Sequence, residues 1–248
     1  TMLEIFIVSL LAGLATALGG LIVIYFKNIS QRATGMGLGF SAGVMIVIAF
    51  MSLFYKALEM GAYATAVISF MAGAVVMMLF DFLIPHRHFG GRGRRRGHGH
   101  TRMMKLGFLV ALGMAMHNFP EGAIIGVGYT VLPTFGIILA LAIAIHNIPE
   151  GIAVAVPLKA AGMKGSKIFK ITLFSGLTEP IGALIAALFL VTIPGVLPVA
   201  LGFTGGVMVY LSIDELIPVA KAQCKQTRAI SIGIILGMAL ALILEAFV

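Results

Sequence analysis

The sequence HNFPEG at residues 117–122 is repeated as HNIPEG at residues 146–151, with one substitution. Both copies lie in the middle of long apolar stretches. Ionisable side chains at the centre of a membrane-spanning segment are costly and usually functional. Two copies of one polar motif in adjacent apolar stretches therefore predict a shared polar site inside a membrane protein.

The composition of the whole chain also indicates a membrane protein. Of the 248 residues, 60% are hydrophobic and 10% are charged, and the mean hydropathy is +1.10. A soluble domain ordinarily has about 25% charged residues. The apolar stretches approach or exceed the roughly 20 residues that cross the hydrocarbon core as a helix, and no alternating strand pattern accompanies them. The sequence predicts an all-α integral membrane protein.

Charges, prolines and glycines divide the chain into eight predicted transmembrane helices. Their predicted ranges are 2–26, 33–55, 62–84, 106–130, 135–158, 168–193, 198–219 and 229–247. In this prediction, residues 1–248 form a single transmembrane domain. A flexible, basic, histidine-containing cytoplasmic loop is expected at about 85–105.

The positions of the Lys and Arg residues predict the orientation. Of the 17 Lys and Arg residues, 16 lie in odd-numbered loops, and Lys56 alone lies in an even-numbered loop. By the positive-inside rule the odd-numbered loops face the cytoplasm, so both termini are predicted outside a multi-pass cell-membrane protein. The net charge of +8 then reflects topology and contact with the lipid bilayer, and no aromatic interleaving indicates a nucleic-acid partner.

Each motif combines four residue types with different uses on a helix. The His and Glu are four residues apart, so they share a face and can bind one ion together. The Asn lies about 100° further around the helix, where its oxygen faces a neighbouring site. The Pro leaves a carbonyl oxygen one turn earlier without its N–H partner, and the Gly lets a neighbouring helix come close.

The spacing also predicts that the two motifs face each other. Each His lies about 11 residues into its predicted span, or about 17 Å along the helix, which is near the midplane. The connection at residues 131–134 is short, so the fourth and fifth helices are expected to be antiparallel neighbours. An inverted pair of this kind is typical of transporters with a midplane binding site. Glu179 lies at the same depth in the sixth span.

These observations predict a metal site on three helices. Its candidate ligands are His117, Asn118, Glu121, His146, Asn147, Glu150 and Glu179. Nitrogen and oxygen ligands of this kind suit Zn²⁺, Fe²⁺, Mn²⁺ or Co²⁺ rather than Cu(I), and three carboxylates can bridge two ions. A lone His or Glu in a membrane helix is often only a hydrogen-bonded packing group. The duplication and the third carboxylate favour the metal site.

The paired motifs resemble those of the ZIP (Zrt/Irt-like) family of divalent-metal transporters, particularly its prokaryotic members. The resemblance covers the whole chain: eight spans, outside termini, a His-bearing third loop and the motifs in the fourth and fifth helices. It implies that the seven candidate ligands line a central binuclear site. It also implies that zinc, or iron, manganese, cobalt or cadmium, moves from outside into the cytoplasm as a transported substrate and not a cofactor.

The resemblance implies two further sets of ligands. Family members supply a ligand from the second helix, where Met45 lies at the right depth, although core packing explains Met45 equally well. A cytoplasmic exit site is implied by Asp81, His86, His88, Asp214 and Glu215. Helix ends that simply meet water are the alternative for these five residues. His98 and His100 either capture metal transiently or belong to a solvated loop.

Two other functions stay open on the residues alone. His, Glu and a metal-bound water also suit a metal-dependent intramembrane hydrolase, although the HExxH motif is absent and the observed motif is duplicated. A metal sensor or scaffold would bind ions without moving them. The resemblance favours a transporter that is not an enzyme. The oligomeric state, including a homodimer, is left open.

Overall fold

The computed structural model is helical throughout the residues that it describes, which are 1–26, 29–60, 63–83, 99–193 and 195–246. Its α-helices are α1 (Met2–Tyr25), α2 (Gln31–Val47), α3 (Tyr55–Met60), α4 (Tyr63–Leu83), α5 (Gly99–Val131), α6 (Pro133–Ala160), α7 (Gly165–Gly176), α8 (Thr178–Thr192), α9 (Leu197–Leu211), α10 (Ile217–Gln223) and α11 (Thr227–Glu245). Two π-helical segments, Ile48–Phe54 and Ser212–Leu216, join α2 to α3 and α9 to α10.

Six helical stretches within the described residues are long and apolar enough to cross a membrane. They are Met2–Tyr25, Gln31–Met60, Pro133–Ala160, Gly165–Phe189, Leu197–Gln223 and Thr227–Glu245. A shorter apolar stretch, Tyr63–Leu79, lies in α4, and α5 contains the first motif. These stretches are consistent with the predicted multi-pass helical membrane protein. That all eight predicted spans cross the bilayer stays a prediction.

Several helices extend beyond their predicted spans. The described part of α5 begins at Gly99, whereas its predicted span begins at 106, and α3 ends at Met60 and not at residue 55. The added residues of α5 include Arg, Met and Lys, which favour helix. The charged residues mark where the apolar span begins in the sequence, but the helix extends through them. His100 therefore lies in the first turn of α5, and His98 lies outside the described residues.

The helices pack in two groups. Helices α1, α5, α6, α7 and α8 pack mainly against one another and are called the motif group here, because they contain both motifs. The second group pairs α2 with α11 and α4 with α9, and it includes α3 and α10. The two groups meet where α2 packs against α6 and α9 packs against α5. Both motif-bearing helices therefore lie at the boundary between the groups.

Glycine permits the closest helix contacts beside both motifs. A Cβ atom at Gly122 would lie 1.9 Å from the carbonyl oxygen of Glu179 on α8. One at Gly151 would lie 2.0 Å from the carbonyl oxygen of Thr16 on α1. The prediction that these two glycines admit neighbouring helices is confirmed. Only Leu132 separates α5 from α6, and the two helices pack together as predicted.

Irregular helix geometry occurs close to the motifs. α7 ends at Gly176 and α8 begins at Thr178, so Glu179 lies in the first turn of α8. The second π-helical segment contains Asp214 and Glu215. π-Helical turns are rare and often occur at functional sites. The sequence does not predict them, because one extra residue in a turn hardly changes the apolar pattern.

Candidate metal centre

The structure buries all seven predicted ligands completely. Their relative exposure is 0% for His117, Asn118, Glu121, His146, Asn147, Glu150 and Glu179. They come from α5, α6 and α8, which pack together within the motif group. Burying so many polar groups is unfavourable unless each finds a partner. The contacts among them therefore decide what the cluster can bind.

Glu121 lies at the centre of the His–Glu contacts. Its Oε1 atom is 3.0 Å from Nε2 of His146 and 3.4 Å from Nε2 of His117. His117 Nε2 is also 4.0 Å from Oε1 of Glu150. One ligand atom from each of His117, Glu121 and Glu150 lies within 4.8 Å of the others. Because Zn–N and Zn–O bonds are about 2 Å long, this spacing lets the three side chains share one ion after small movements.

The two Asn side chains use their NH₂ groups within the protein and leave their oxygens free. Asn147 Nδ2 donates to the Ala12 carbonyl oxygen at 3.1 Å and to Oε1 of Glu179. Asn118 Nδ2 donates to the Ser175 carbonyl oxygen at 3.1 Å. The Oδ1 atoms of both residues are buried without a hydrogen-bond partner. Each motif thus presents an amide oxygen that can coordinate a cation.

Helix α1 positions these amides, although no α1 residue was predicted to belong to the site. The Ala12 carbonyl accepts from Asn147, and the Thr16 hydroxyl lies 3.4 Å from Nδ2 of Asn118. Ser175 on α7 also has a buried hydroxyl without a partner. In the sequence of α1, Thr16 lies among small apolar residues, and this pattern is too common to identify a site. A backbone carbonyl such as that of Ala12 gives no signal at all.

Two side chains of the second group reach the cluster at His117. The Sδ atom of Met45 is 3.1 Å from Nε2 of His117, and Met45 is fully buried. The other ring nitrogen of His117, Nδ1, lies 3.7 Å from Oε2 of Glu215, whose side chain is 15% exposed. Met45 thus lies where a second-helix ligand was expected. Glu215, predicted for the exit site, adjoins the central cluster directly.

The other members of the predicted exit site are not brought to the cluster by any described contact. Asp214 precedes Glu215 in the π-helical segment, and Asp81 lies near the end of α4, where its side chain is not described. His86 and His88 lie outside the described residues. The exit site as a group therefore stays a prediction.

The cluster offers more acceptor atoms than its own donors can satisfy. The buried oxygens without a partner include Oε2 of Glu121, both carboxylate oxygens of Glu150 and Oε2 of Glu179. No Lys or Arg among the described residues forms an ion pair with these carboxylates. Buried carboxylates are stable when they are paired or bind metal. Three carboxylates, two imidazoles and two amide oxygens form a set suited to divalent cations.

The sequence is similar to known transporters along nearly its whole length. Residues 86–245 match the family described as ZIP Zinc transporter. The chain is 42% identical to the zinc transporter ZupT of Corynebacterium glutamicum, over 96% of both sequences. It is 38% identical to ZupT of Oceanobacillus iheyensis, over 96% of both, and 38% identical to that of Akkermansia muciniphila, over 96% of this chain and 95% of the relative.

Proposed function

Since the chain belongs to the ZIP zinc transporter family, we propose that it transports divalent transition-metal ions, zinc foremost, from outside into the cytoplasm. Its relatives are named zinc transporters. The observation that supports transport by this chain is the buried His–Glu cluster, in which carboxylate oxygens on three helices lack partners. A divalent cation compensates these charges as a transported substrate, and no resident cofactor is required.

The cluster accommodates two neighbouring ions. His117, Glu121 and Glu150 form the first position, and His146 reaches it through Glu121. We assign the second position to the buried oxygens of Asn118, Asn147 and Glu179 that lack a hydrogen-bond partner. Nδ2 of Asn147 donates to Oε1 of Glu179, and Asn147 directly follows His146 on α6, so the second position adjoins the first. Mutual repulsion among three carboxylates favours this double occupancy.

The proposed arrangement in the membrane has eight crossings in one domain, with both termini outside. It rests on the distribution of Lys and Arg, 16 of which lie in the odd-numbered loops. Large apolar side chains such as Leu3, Ile68 and Ile235 are at least 65% exposed, which suits contact with lipid hydrocarbon. The cell membrane as location and a homodimer in the bilayer are further parts of the proposal.

Transport proceeds by alternating access of one helix group against the other. All seven ligands belong to the motif group, whereas Met45 and Glu215 belong to the second group and contact His117 from opposite ring nitrogens. A relative shift of the groups changes the contacts of His117 and passes the ion towards Glu215. An interior potential of −100 mV favours entry of a doubly charged ion by about 4.6 kcal/mol.

Uptake into proteoliposomes tests the proposal. Reconstituted wild-type protein is expected to take up Zn²⁺, and the Glu121→Gln/Glu150→Gln variant is expected to lose that flux. Glu59→Gln is the matched control, because Glu59 is an exposed carboxylate paired with Lys56. Equal flux through wild type and the double variant would refute transport by this cluster.

The same preparation separates the other two functions. Binding of Zn²⁺ by the wild type without any flux would indicate a sensor or scaffold. Chelator-sensitive cleavage of a membrane substrate would indicate a hydrolase. Neither alternative gains support from the relatives, which are named as transporters.

A further inference from the structure

A basic pocket lies away from the metal cluster, between the N-terminal part of α5, the α6–α7 connection and α7. Its volume is about 620 Å³. Lys164, Lys167 and Lys170 line one part of it, and Phe108 and Phe174 line another. The pocket thus combines three positive charges with an apolar surface.

The three lysines are not neutralised by the protein around them. Within the described part of the chain, none of the three forms an ion pair or a side-chain hydrogen bond. All lining residues come from two segments, 82–120 and 151–178, and neither segment contains an Asp or Glu. The positive charge is therefore available to an external anion.

The start of α7 adds to this positive potential. Its N-cap is Lys164, which makes no side-chain capping hydrogen bond. The first N–H groups of a helix lack intrahelical partners, and together with the helix dipole they attract phosphate. An uncapped helix start beside three free lysines favours an anion that can accept several hydrogen bonds.

The apolar part of the pocket continues from the lysines into the membrane-spanning stretch. Phe174 follows Lys170 by one helical turn and is 67% exposed. Phe108 on α5 is 50% exposed on the same pocket. Met104 and Ile171 are half-buried between them. A ligand that fills the whole pocket must have an anionic end and a hydrocarbon chain.

We propose that this pocket binds an anionic phospholipid. Its phosphate headgroup lies beside Lys164, Lys167 and Lys170, and its acyl chain follows Phe108 and Phe174. Basic pockets between membrane helices are suited to such headgroups. The site lies next to the α6–α7 connection, which faces the cytoplasmic leaflet in the proposed orientation. The inference requires a protein embedded in a membrane and does not depend on metal transport.

Lipid titration of the purified full-length chain, followed by native mass spectrometry, tests the proposal. Phosphatidylglycerol is expected to bind, and phosphatidylcholine with the same acyl chains is expected to bind much more weakly. A Lys164→Gln/Lys167→Gln/Lys170→Gln variant should bind phosphatidylglycerol roughly 100-fold more weakly, since each Lys near a membrane surface contributes about a factor of five. If the triple variant does not fold, Lys167→Gln alone should weaken binding about fivefold.

Three comparisons can overturn the proposal. Lys221→Gln/Lys225→Gln removes two exposed charges elsewhere, also in an odd-numbered loop, and should leave binding unchanged. Phe174→Ala should weaken lipid binding, whereas Phe82→Ala, which removes an even more exposed Phe on α4, should not. Soluble glycerol phosphate should bind far more weakly than phosphatidylglycerol. An equal loss with the control lysines, equal effects of Phe174→Ala and Phe82→Ala, or equally tight binding of glycerol phosphate would each refute an anionic-lipid site. Unchanged binding by the triple variant would refute it as well.

Discussion

His117 is a candidate ligand whose side chain contacts both helix groups. Its Nε2 atom lies 3.1 Å from the sulfur of Met45 and 3.4 Å from the carboxylate of Glu121, and its Nδ1 atom lies 3.7 Å from that of Glu215. Because the His117 ring contacts both groups, a relative displacement of the groups changes the contacts of the ring. In the proposed transport cycle, the contacts of His117 with Met45 and Glu215 are the ones that change as the ion moves.

Replacing Met45 tests whether its thioether is a ligand or a packing group. Met45→Leu conserves volume and should cost less than about 1.5 kcal/mol of stability. If the sulfur binds metal, the affinity for Cd²⁺ should fall roughly tenfold and that for Mn²⁺ should hardly change, because thioethers prefer soft ions. Equilibrium binding of both ions measures this difference.

Met208→Leu is the matched control, since Met208 on α9 is equally buried but is not among the described contacts of the cluster. Equal Cd²⁺ affinities for wild type and Met45→Leu would assign Met45 to packing alone.

Glu215 and Asp214 are adjacent carboxylates with different surroundings. Glu215 approaches His117, whereas no described ion pair involves Asp214. Because a carboxylate beside the second ring nitrogen of a metal-ligating His typically contributes about 10–100-fold in affinity or activity, Glu215→Gln should slow Zn²⁺ uptake roughly tenfold or more, and Asp214→Asn should have a smaller effect. Initial uptake rates in proteoliposomes provide the comparison. Similar losses in the two variants would contradict a specific role for Glu215.

At the scale of helices, the contact between α5 and α8 holds Glu179 beside the motifs. Gly122 on α5 lies directly against the backbone of Glu179, so a side chain there must push the two helices apart. Pro180 follows Glu179 in the first turn of α8, where its missing N–H costs little. The break between α7 and α8 thus places a carboxylate at a helix start that packs on α5.

Two substitutions on α5 test this contact. Gly122→Ala should destabilise the protein by about 1–3 kcal/mol, because the added carbon meets backbone and not a movable side chain. Gly113→Ala should be neutral or stabilising by up to about 1 kcal/mol, since Ala favours helix. The nearest neighbour of the new carbon at Gly113 is a carboxylate oxygen of Glu215, 3.5 Å away, which is an ordinary contact with a movable side chain.

Thermal unfolding in detergent measures both variants, and only Gly122→Ala should be destabilised. Shifts of the same sign and size in both would show that the α5–α8 contact is not the cause.

At the scale of the whole molecule, metal binding should be linked to folding. The ligands come from three helices and converge only in the folded chain. An ion that binds the folded state alone stabilises it by about 2.7 kcal/mol at a concentration 100 times its Kd. Zn²⁺ should therefore raise the unfolding temperature of the wild type, and a chelator should reverse the rise.

The Glu121→Gln/Glu150→Gln variant should lose this stabilisation, and Glu59→Gln should keep it. A Zn²⁺-dependent rise of equal size in the double variant would place the stabilising ion elsewhere.

The motifs made most of the site predictable because their information is local. His117 and Glu121 are one turn apart on any helix, and so are His146 and Glu150. A polar residue in a long apolar stretch is visible without knowledge of packing. The α1 contacts, the π-helical segments and the proximity of Glu215 to His117 had no comparable local pattern. The basic pocket also combines residues from separate helices. In the sequence, its Lys residues indicated only the orientation of the chain in the membrane.

The sequence by itself determined a helical membrane protein and singled out the seven candidate ligands, because hydropathy and helical spacing depend on residue identity alone. Only the tertiary structure decided that the Ala12 carbonyl orients Asn147, across 135 positions of the chain, and that His117 lies between Met45 and Glu215. These contacts depend on how closely the helices approach and on which face each presents. The distance between two packed helices depends on small residues and backbone atoms, and these do not distinguish one apolar span from another in the sequence.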